Sequence, residues 1–430
     1  MRAGGMRLVL VAGVKNEWGR GAAEKHGAVP FPLACHRIRW HVPAAAMKAT
    51  FLRALRVLIF PICLAPFAER RARAAEQGTA PFLSRDAKAQ ALYKQGKYAE
   101  AEAELRGAVK IHAETLGAEH LDTLGSRGNL AAALNAQKKF AEAEKELREV
   151  LPVLYRTVGA EHPGTLTARH SLAFALEGLG RHEEAEKEGR ALVDACVRVL
   201  GPEAPDTVAS RDNFALALLA QRKDAEAEKE LRTVLAIEER TFGPEHASTL
   251  KTLYDLAVAL GYQGKFDEAV PLMRALVAGQ ERTLGPENGD TLINRNRLAI
   301  ALNKQGDHFA AERELRAILA ITDRLLGPDD PTNWNRRHYL ATTLLEAGKA
   351  AAAEAEFRAV LAIRERVLGA AHPDVFESRM FIATALRAQG KADEALTLAR
   401  AALKGLQETI GAEHASTKLA QKLVDDLEKK

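Results

Sequence analysis

A glycine preceded by an apolar residue returns every 42 residues along this chain, at Gly117, Gly159, Gly201, Gly243, Gly285, Gly327, Gly369 and Gly411. An alanine inside a Glu/Ala-rich run keeps the same register without insertion or deletion, at Ala101, Ala143, Ala185, Ala227, Ala269, Ala311, Ala353 and Ala395. Recurrence at a period of about 20 to 50 residues marks stacked copies of one supersecondary unit, each packing on its neighbours, so chain length does not count domains here. Within the copy from Leu121 to Gly159, Leu124, Leu130, Ala131 and Leu134 keep a helical apolar spacing. Gln137, Lys138 and Lys139 interrupt it, and Ala143, Leu147, Val150, Leu151 and Leu154 resume it. This pattern predicts a helical hairpin. Other copies place glycine in the interruption, as at Gly96, Gly264, Gly306 and Gly390, where it ends a helix in a left-handed conformation. Pro163, Pro205, Pro331 and Pro373 follow the Gly117-type turn, where a helix starts without losing a backbone donor.

Composition narrows the function classes. Residues 1–80 carry a net charge of +9 and the rest −5; the array therefore lacks the clustered basic face that nucleic acid demands. Three cysteines, Cys35, Cys63 and Cys196, make neither a disulfide framework nor a metal-ligand spacing, and Cys196 reads as a packed apolar thiol. There is no phosphate-binding glycine loop, nucleophile elbow or HExxH; His182 to Glu186 lacks a second histidine. The periodic His120, His162, His246, His372 and His414 stand in separate turns, roughly 10 Å apart at usual helix spacings, too far to share a metal. They are expected to pack loops or cap first turns. No cofactor, metal or catalytic residue is expected.

The N-terminal region reads differently. Residues 1–46 show no helical or strand periodicity and are expected to be disordered or mis-assigned upstream sequence. Met47, Lys48, Arg53 and Arg56 then precede an apolar run, Val57 to Ala68, followed by a small-residue stretch ending at Ala75. That is the layout of a secretory signal peptide over residues 47–75, which would make the chain periplasmic or secreted. Retention of the run 57–68 would bring membrane contact, and a leader that is no export signal would leave the protein cytoplasmic. Residues 76–83 read as a linker and 84–430 as the array.

A further periodic feature is an arginine on every first helix but one, with a glutamate 17 residues later in six of the seven copies that carry it: Arg85 with Glu102, Arg127 with Glu144, Arg169 with Glu186, Arg211 with Glu228, Arg295 with Glu312, and Arg337 with Glu354, while Arg379 faces Leu396. Leu253 stands opposite Val270 in the one copy without arginine. This coupling suggests pairs bridging the two helices of each hairpin; the rival is a basic stripe for an acidic ligand. Lys88, and Asp425 with Glu428, replace apolar residues in the first and last helices and read as caps. The expected architecture is all-α, eight antiparallel hairpins and a closing helix.

The order of Leu172-Ala173, Leu176, Gly180, Glu184-Ala185-Glu186 and Val158-Gly159-Ala160-Glu161-His162-Pro163 resembles the tetratricopeptide repeat in its 42-residue, kinesin-light-chain-like form. One departure is Arg169-His170-Ser171-Leu172-Ala173, where light-chain repeats carry a Leu-Asn-Asn-Leu-Ala string, so kinesin cargo binding is not carried over. The resemblance implies an α-solenoid coiled as a right-handed superhelix, with first helices lining a concave groove. It places Asn129, Asn135, Asn213, Tyr254, Asp255, Tyr262, Asn296, Arg297, Asn303 and Lys304 on that groove. Their variety, against the constancy of the structural positions, points to a surface fitted to a protein or extended peptide. The expected function is a non-catalytic scaffold or adaptor. The rivals are a cytosolic regulatory or sensor protein of the same fold and an enzyme with a site hidden in the groove.

Overall fold

The computed structural model describes residues 80–328 and 330–429, with side chains from Arg85. The segments read as 1–46, the 47–75 export signal and the start of the 76–83 linker lie outside the described residues. Among the described residues there are 17 α-helices and no strands. In chain order these are α1 (Ala80–Lys94), α2 (Tyr98–Thr115), α3 (Leu121–Ala136), α4 (Phe140–Thr157), α5 (Pro163–Gly178) and α6 (His182–Leu200). They continue as α7 (Pro205–Ala220), α8 (Asp224–Phe242), α9 (Ala247–Tyr262), α10 (Phe266–Thr283), α11 (Gly289–Gln305) and α12 (His308–Leu326). The last are α13 (Pro331–Glu346), α14 (Ala350–Leu368), α15 (Pro373–Ala388), α16 (Ala392–Ile410) and α17 (Ala415–Glu428). Helix α1 takes in residues 80–83, which the sequence reading assigned to the linker; Pro81 falls in its first turn, where no intrahelical donor is lost.

The described chain forms two compact units, 80–259 and 260–429. In each, consecutive helices pack as hairpins, and successive first helices also touch: α3 with α5 and α5 with α7 in the first unit, α11 with α13 and α15 with α17 in the second. The periodic alanines Ala101, Ala143, Ala227, Ala269, Ala311, Ala353 and Ala395 are wholly buried and Ala185 nearly so. At these points the helices approach too closely for a larger side chain. Leu105, Leu124, Leu134 and Leu147 fill the first core, and Leu315, Leu340, Phe357 and Leu386 the second.

The two turns differ in what they tolerate. The first lies within each hairpin and needs a positive φ at one residue. Glycine supplies it six times, but Lys138 and Arg222 hold φ 66° and 62°, because the left-handed helical region admits other residues at modest cost. There the backbone closes with a Schellman bond such as Lys139 N–H to Leu134 O, 2.9 Å. The second turn uses another conformation, φ 93°, ψ 160° at Gly201 and φ 86°, ψ 167° at Gly243. That region is open essentially to glycine alone, so the 42-residue mark never varies.

After that glycine, His120, His162, His246, His372 and His414 each cap a first helix. Their Nδ1 atoms accept from the backbone N–H two residues on, at 3.1 to 3.3 Å. Asn288 and Asp330 do the same through their side-chain oxygens. Thr123, Thr165, Thr207, Thr249 and Thr417 close each turn by donating to the preceding glycine carbonyl at 2.8 to 2.9 Å.

The arginines do bridge each hairpin, but to another glutamate. Arg127 donates to Glu146 at 2.8 Å and Glu149 at 2.5 Å, Arg169 to Glu188 at 2.5 Å, Arg211 to Glu230, Arg295 to Glu314 at 2.9 Å, and Arg337 to Glu356 at 3.4 Å. Arg379 turns to Glu365 instead. The expected pairs Arg127–Glu144, Arg169–Glu186, Arg211–Glu228, Arg295–Glu312 and Arg337–Glu354 are thus corrected by two residues. Two residues are about 200° around a helix, so these glutamates look along the array, toward the next hairpin. Glu102 accepts from Arg106 at 2.9 Å, Gln137 at 2.6 Å and Lys139 at 2.8 Å. Burial opposes its charge, but those bonds outweigh it and hold the carboxyl down at about 2. Glu186 repeats the arrangement with Arg190, Gln221 and Lys223, and Glu354 with Arg358 and Gln389.

A double-mutant cycle on Arg127 and Glu146, read by urea denaturation, is expected to give a coupling of about 1 kcal/mol for this half-buried pair. The cycle on Arg127 and Glu144 is expected to give none; the reverse ranking would restore the original assignment.

Candidate functional site

The inner layer of each unit is made of first helices, and their variable positions are where a partner has to be read. In the first unit Asn129 is half-buried and, among the described residues, has no hydrogen-bond partner. Asn135 is buried, its Nδ2 donating to the Ser171 carbonyl of the next first helix at 2.9 Å. Asn213 Nδ2 lies 3.1 Å from His170 Nε2, and Tyr254 is half-buried. Asp255 is buried and, with Asp212, accepts from Lys251 Nζ at 2.8 Å. In the second unit Asn303 lies between Glu346 and His308, the latter at 2.7 Å. Arg297 Nη1 donates to Asn294 Oδ1 at 3.0 Å. Asn296 is buried, Tyr262 half-buried and Lys304 exposed.

Three of these positions therefore depart from the groove reading: Asn135, Asp255 and Asn296 lie inside helix contacts. The physical reason is that several variable positions pair with one another across successive first helices. His170 with Asn213, Asp212 with Lys251, Asn303 with Glu346, and Glu377 with Ser416 at 2.5 Å each join neighbouring repeats. Variation at a position facing a neighbour reflects the neighbour's residue as much as an outside partner.

A second set of residues escaped the sequence reading. A residue near the end of each second helix meets the residue 14 further on, in the next first helix, and both are buried in every copy. His112 meets Ser126 at 3.0 Å, with Asp86 accepting from Ser126 at 2.9 Å. Cys196 lies 3.8 Å from Ser210, Thr252 donates to Glu238 at 2.7 Å, Asn294 to Gln280 at 2.9 Å, and Arg364 to Ser378 at 2.9 Å. Thr322 and Arg336 occupy the same positions without bonding one another, Arg336 donating to Thr332 and Asn333. Where one side is apolar, so is the other: Leu154 with Ala168 and Leu406 with Ala420. The fixed spacing of 14 was the available signal.

Burial in these layers moves several ionisable groups. It lowers His170 to about 4, against the attraction of Asp212, so the ring is neutral. Burial also opposes the Lys251 charge, but Asp212 and Asp255 outweigh it and raise its pKa above the usual lysine range. Glu238 is 3% exposed, and burial pushes it up to about 7 despite its bond from Thr252. Asp206 is pushed by burial to about 6. Between α5, α6 and α7 lies a partly open, mainly apolar cavity of about 20 Å³, walled by Leu166, Cys196 and Ala209 together with Thr167, His170, Asp206 and Ser210.

The tetratricopeptide repeat family model matches residues 83–156, 126–196, 164–237, 212–282, 289–366 and 332–408. Among solved structures, the chain is similar to the kinesin-light-chain TPR-like repeats of Podosopora anserina, with 30% identity over 48% of this chain and 99% of that one and a TM-score of 0.43. RapI in its apo form is 10% identical over 81% of this chain and 98% of its own, with a TM-score of 0.52. A signal-transduction ATPase with numerous domains and a tetratricopeptide repeat sensor, from Pyrococcus horikoshii, is 14% identical over 77% of this chain and 51% of its own, with a TM-score of 0.50. The last two bear on the fold alone. No curated protein matches the chain.

Because the folded pKa of Glu238 lies above its ordinary value of 4.5, its stabilisation is full below that value and is lost as pH rises through about 7. Relative to Glu238→Gln, the native chain is expected to lose on the order of 3 kcal/mol between about pH 4 and pH 8. Urea denaturation of both proteins across that range checks this; parallel curves refute it.

Proposed function

Because the chain belongs to the tetratricopeptide repeat family, we propose that it is a non-catalytic scaffold that holds a protein or extended peptide along the inner faces of its first helices. The observation that carries this reading is the division of roles along those helices. Positions that build the hairpins repeat with period 42, while inner positions change from copy to copy, and Asn129 and Lys304 among them have no hydrogen-bond or ion-pair partner among the described residues. Amides suit a peptide backbone, and a free ammonium at Lys304 suits a carboxylate. The apolar run 57–68 supports delivery to the cell envelope through a signal beginning at Met47.

Affinity capture from the native cell with the full chain as bait is the test. Captured partners are expected to be lost on combining Asn129→Ala, Arg297→Ala and Lys304→Ala. They should be retained with His162→Asn and His372→Asn, which keep a capping acceptor. The opposite result moves the binding surface to the turn edge. Export is read separately by sequencing the N-terminus of the mature protein: cleavage near Ala75 is expected, and a chain that keeps residues 47–75 refutes it.

A further inference from the structure

We propose that the exposed side of α10 and α12 docks an acidic segment of a partner protein, one in which a large apolar side chain is flanked by carboxylates. This surface belongs to the second helices and is independent of the inner-face reading above. Every second helix carries an exposed arginine at the 42-residue period, from Arg106 to Arg400. Arg148 donates to Glu144 at 2.7 Å, one turn back, and to Glu184 on the next second helix at 3.5 Å. Arg190 does the same with Glu186 and Glu226. Arg106, Arg232, Arg316, Arg358 and Arg400 each hold a carboxylate too. Arg274 is the exception. Val270 replaces the glutamate one turn back and Ala310 the one on the next helix. Among the described residues Arg274 makes no hydrogen bond or ion pair.

A second exception stands beside it. The position before Ala310 holds Phe309, 73% exposed, where the other copies carry alanine, glutamate or aspartate. Arg106, Arg148 and Arg190 all reach the first turn of the next second helix, at the position of Ala310. The same reach brings Arg274 to the first turn of α12, next to Phe309. Arg313 lies one turn further along α12 on the side of Phe309; it is exposed and, among the described residues, also without a partner. Two unpaired guanidiniums, one from each helix, thus adjoin one exposed ring. Pro271 on α10 and Ala355 on α14 occupy the positions of Lys145, Lys187 and Lys229 in the first unit, so no long side chain at those positions shields the ring.

The chemistry of the occupant follows from charge. A guanidinium only donates, and its fork matches a carboxylate. A phenylalanine ring adds apolar area that is gained only when another apolar group covers it. A continuous polyanion fits less well. Asp267 and Glu268 stand in the first turn of α10 and Asp307 just before α12, and these repel a run of phosphates. A short segment can place one carboxylate at Arg274 and another at Arg313 while keeping clear of them. The carboxylates that other copies supply from within the chain would here come from outside.

Fluorescence anisotropy with the full chain tests the surface, using labelled Glu-Asp-Leu-Phe-Asp-Glu as the probe and Lys-Lys-Leu-Phe-Lys-Lys and Glu-Asp-Ala-Ala-Asp-Glu as controls. Saturable binding is expected with the first peptide alone. It should weaken about tenfold when Arg274→Ala and Arg313→Ala are combined, and about tenfold in Phe309→Ala. Arg148→Ala, which removes an arginine already held by carboxylates, should leave it unchanged. All these side chains are exposed, and far-ultraviolet circular dichroism checks that the variants keep their helices. No saturation, equal binding of the three peptides, or an equal loss in Arg148→Ala overturns the proposal. Loss in Lys304→Ala with none in Phe309→Ala moves the peptide to the inner face and also overturns it. Tighter binding of single-stranded oligothymidylate than of the acidic peptide overturns a protein partner in favour of nucleic acid. In sedimentation the unmodified chain should show no dimer that Phe309→Ala dissociates; such a dimer would make a second copy the occupant and overturn the assignment.

Discussion

The contact between each second helix and the first helix of the following hairpin is the interaction on which the rest of this chain depends. A lone hairpin cannot bury both of its apolar faces; it needs a neighbour on each side. Leu147, Val150 and Leu154 on α4, and Ala168 and Leu172 on α5, are buried in one cluster, and equivalent residues repeat the contact along each unit. Wholly buried alanines set how closely the helices approach. The glycine with φ near 90° and extended ψ returns the chain to start the next first helix. Replacing a buried leucine here by alanine removes about 2 to 5 kcal/mol, a large share of what any one hairpin contributes.

The same contact carries information about order. Its buried positions pair histidine with serine, glutamate with threonine, glutamine with asparagine and arginine with serine, and leucine only with alanine. Stacking the hairpin that carries Ala168, or the closing helix with Ala420, after Glu238 or Gln280 would leave a buried polar group unsatisfied at about 1 to 3 kcal/mol. Near-identical units are thereby made unequal at their joints. Outside the joints, glutamates such as Glu102 and Glu186 bind one hairpin to the turn of the next, while glutamates two residues on bind the two helices of a hairpin together. One short acidic run thus serves two directions.

Much of the fold was legible before any coordinates. A strict period, helical apolar spacing and two turn signals suffice for eight hairpins and a closing helix, and the histidines that follow five of the glycines were readable as caps. The Arg–Glu bridge was legible in kind but not in register. Glutamate occupies both Glu144 and Glu146, and both are replaced in the copy of Leu253, by Val270 and Leu272; covariation within the chain cannot separate them. Helix phase separates them at once, because a step of two residues turns a side chain to the opposite flank. The inner face was harder. Variable positions looked uniformly available, yet Asn135, Asp255 and Asn296 are inside the fold.

By itself, the sequence determined the all-α repeat fold, its period and its turns, since these follow from local backbone geometry and from apolar spacing that every copy restates. Only the tertiary structure decided which glutamate meets each arginine, which variable side chains are used up between neighbouring helices, and that residues 14 apart are buried together at each joint. Those facts depend on which residues of different helices come within 3 or 4 Å, and a repeated sequence is nearly silent about that because its copies differ least where they are most alike in structure.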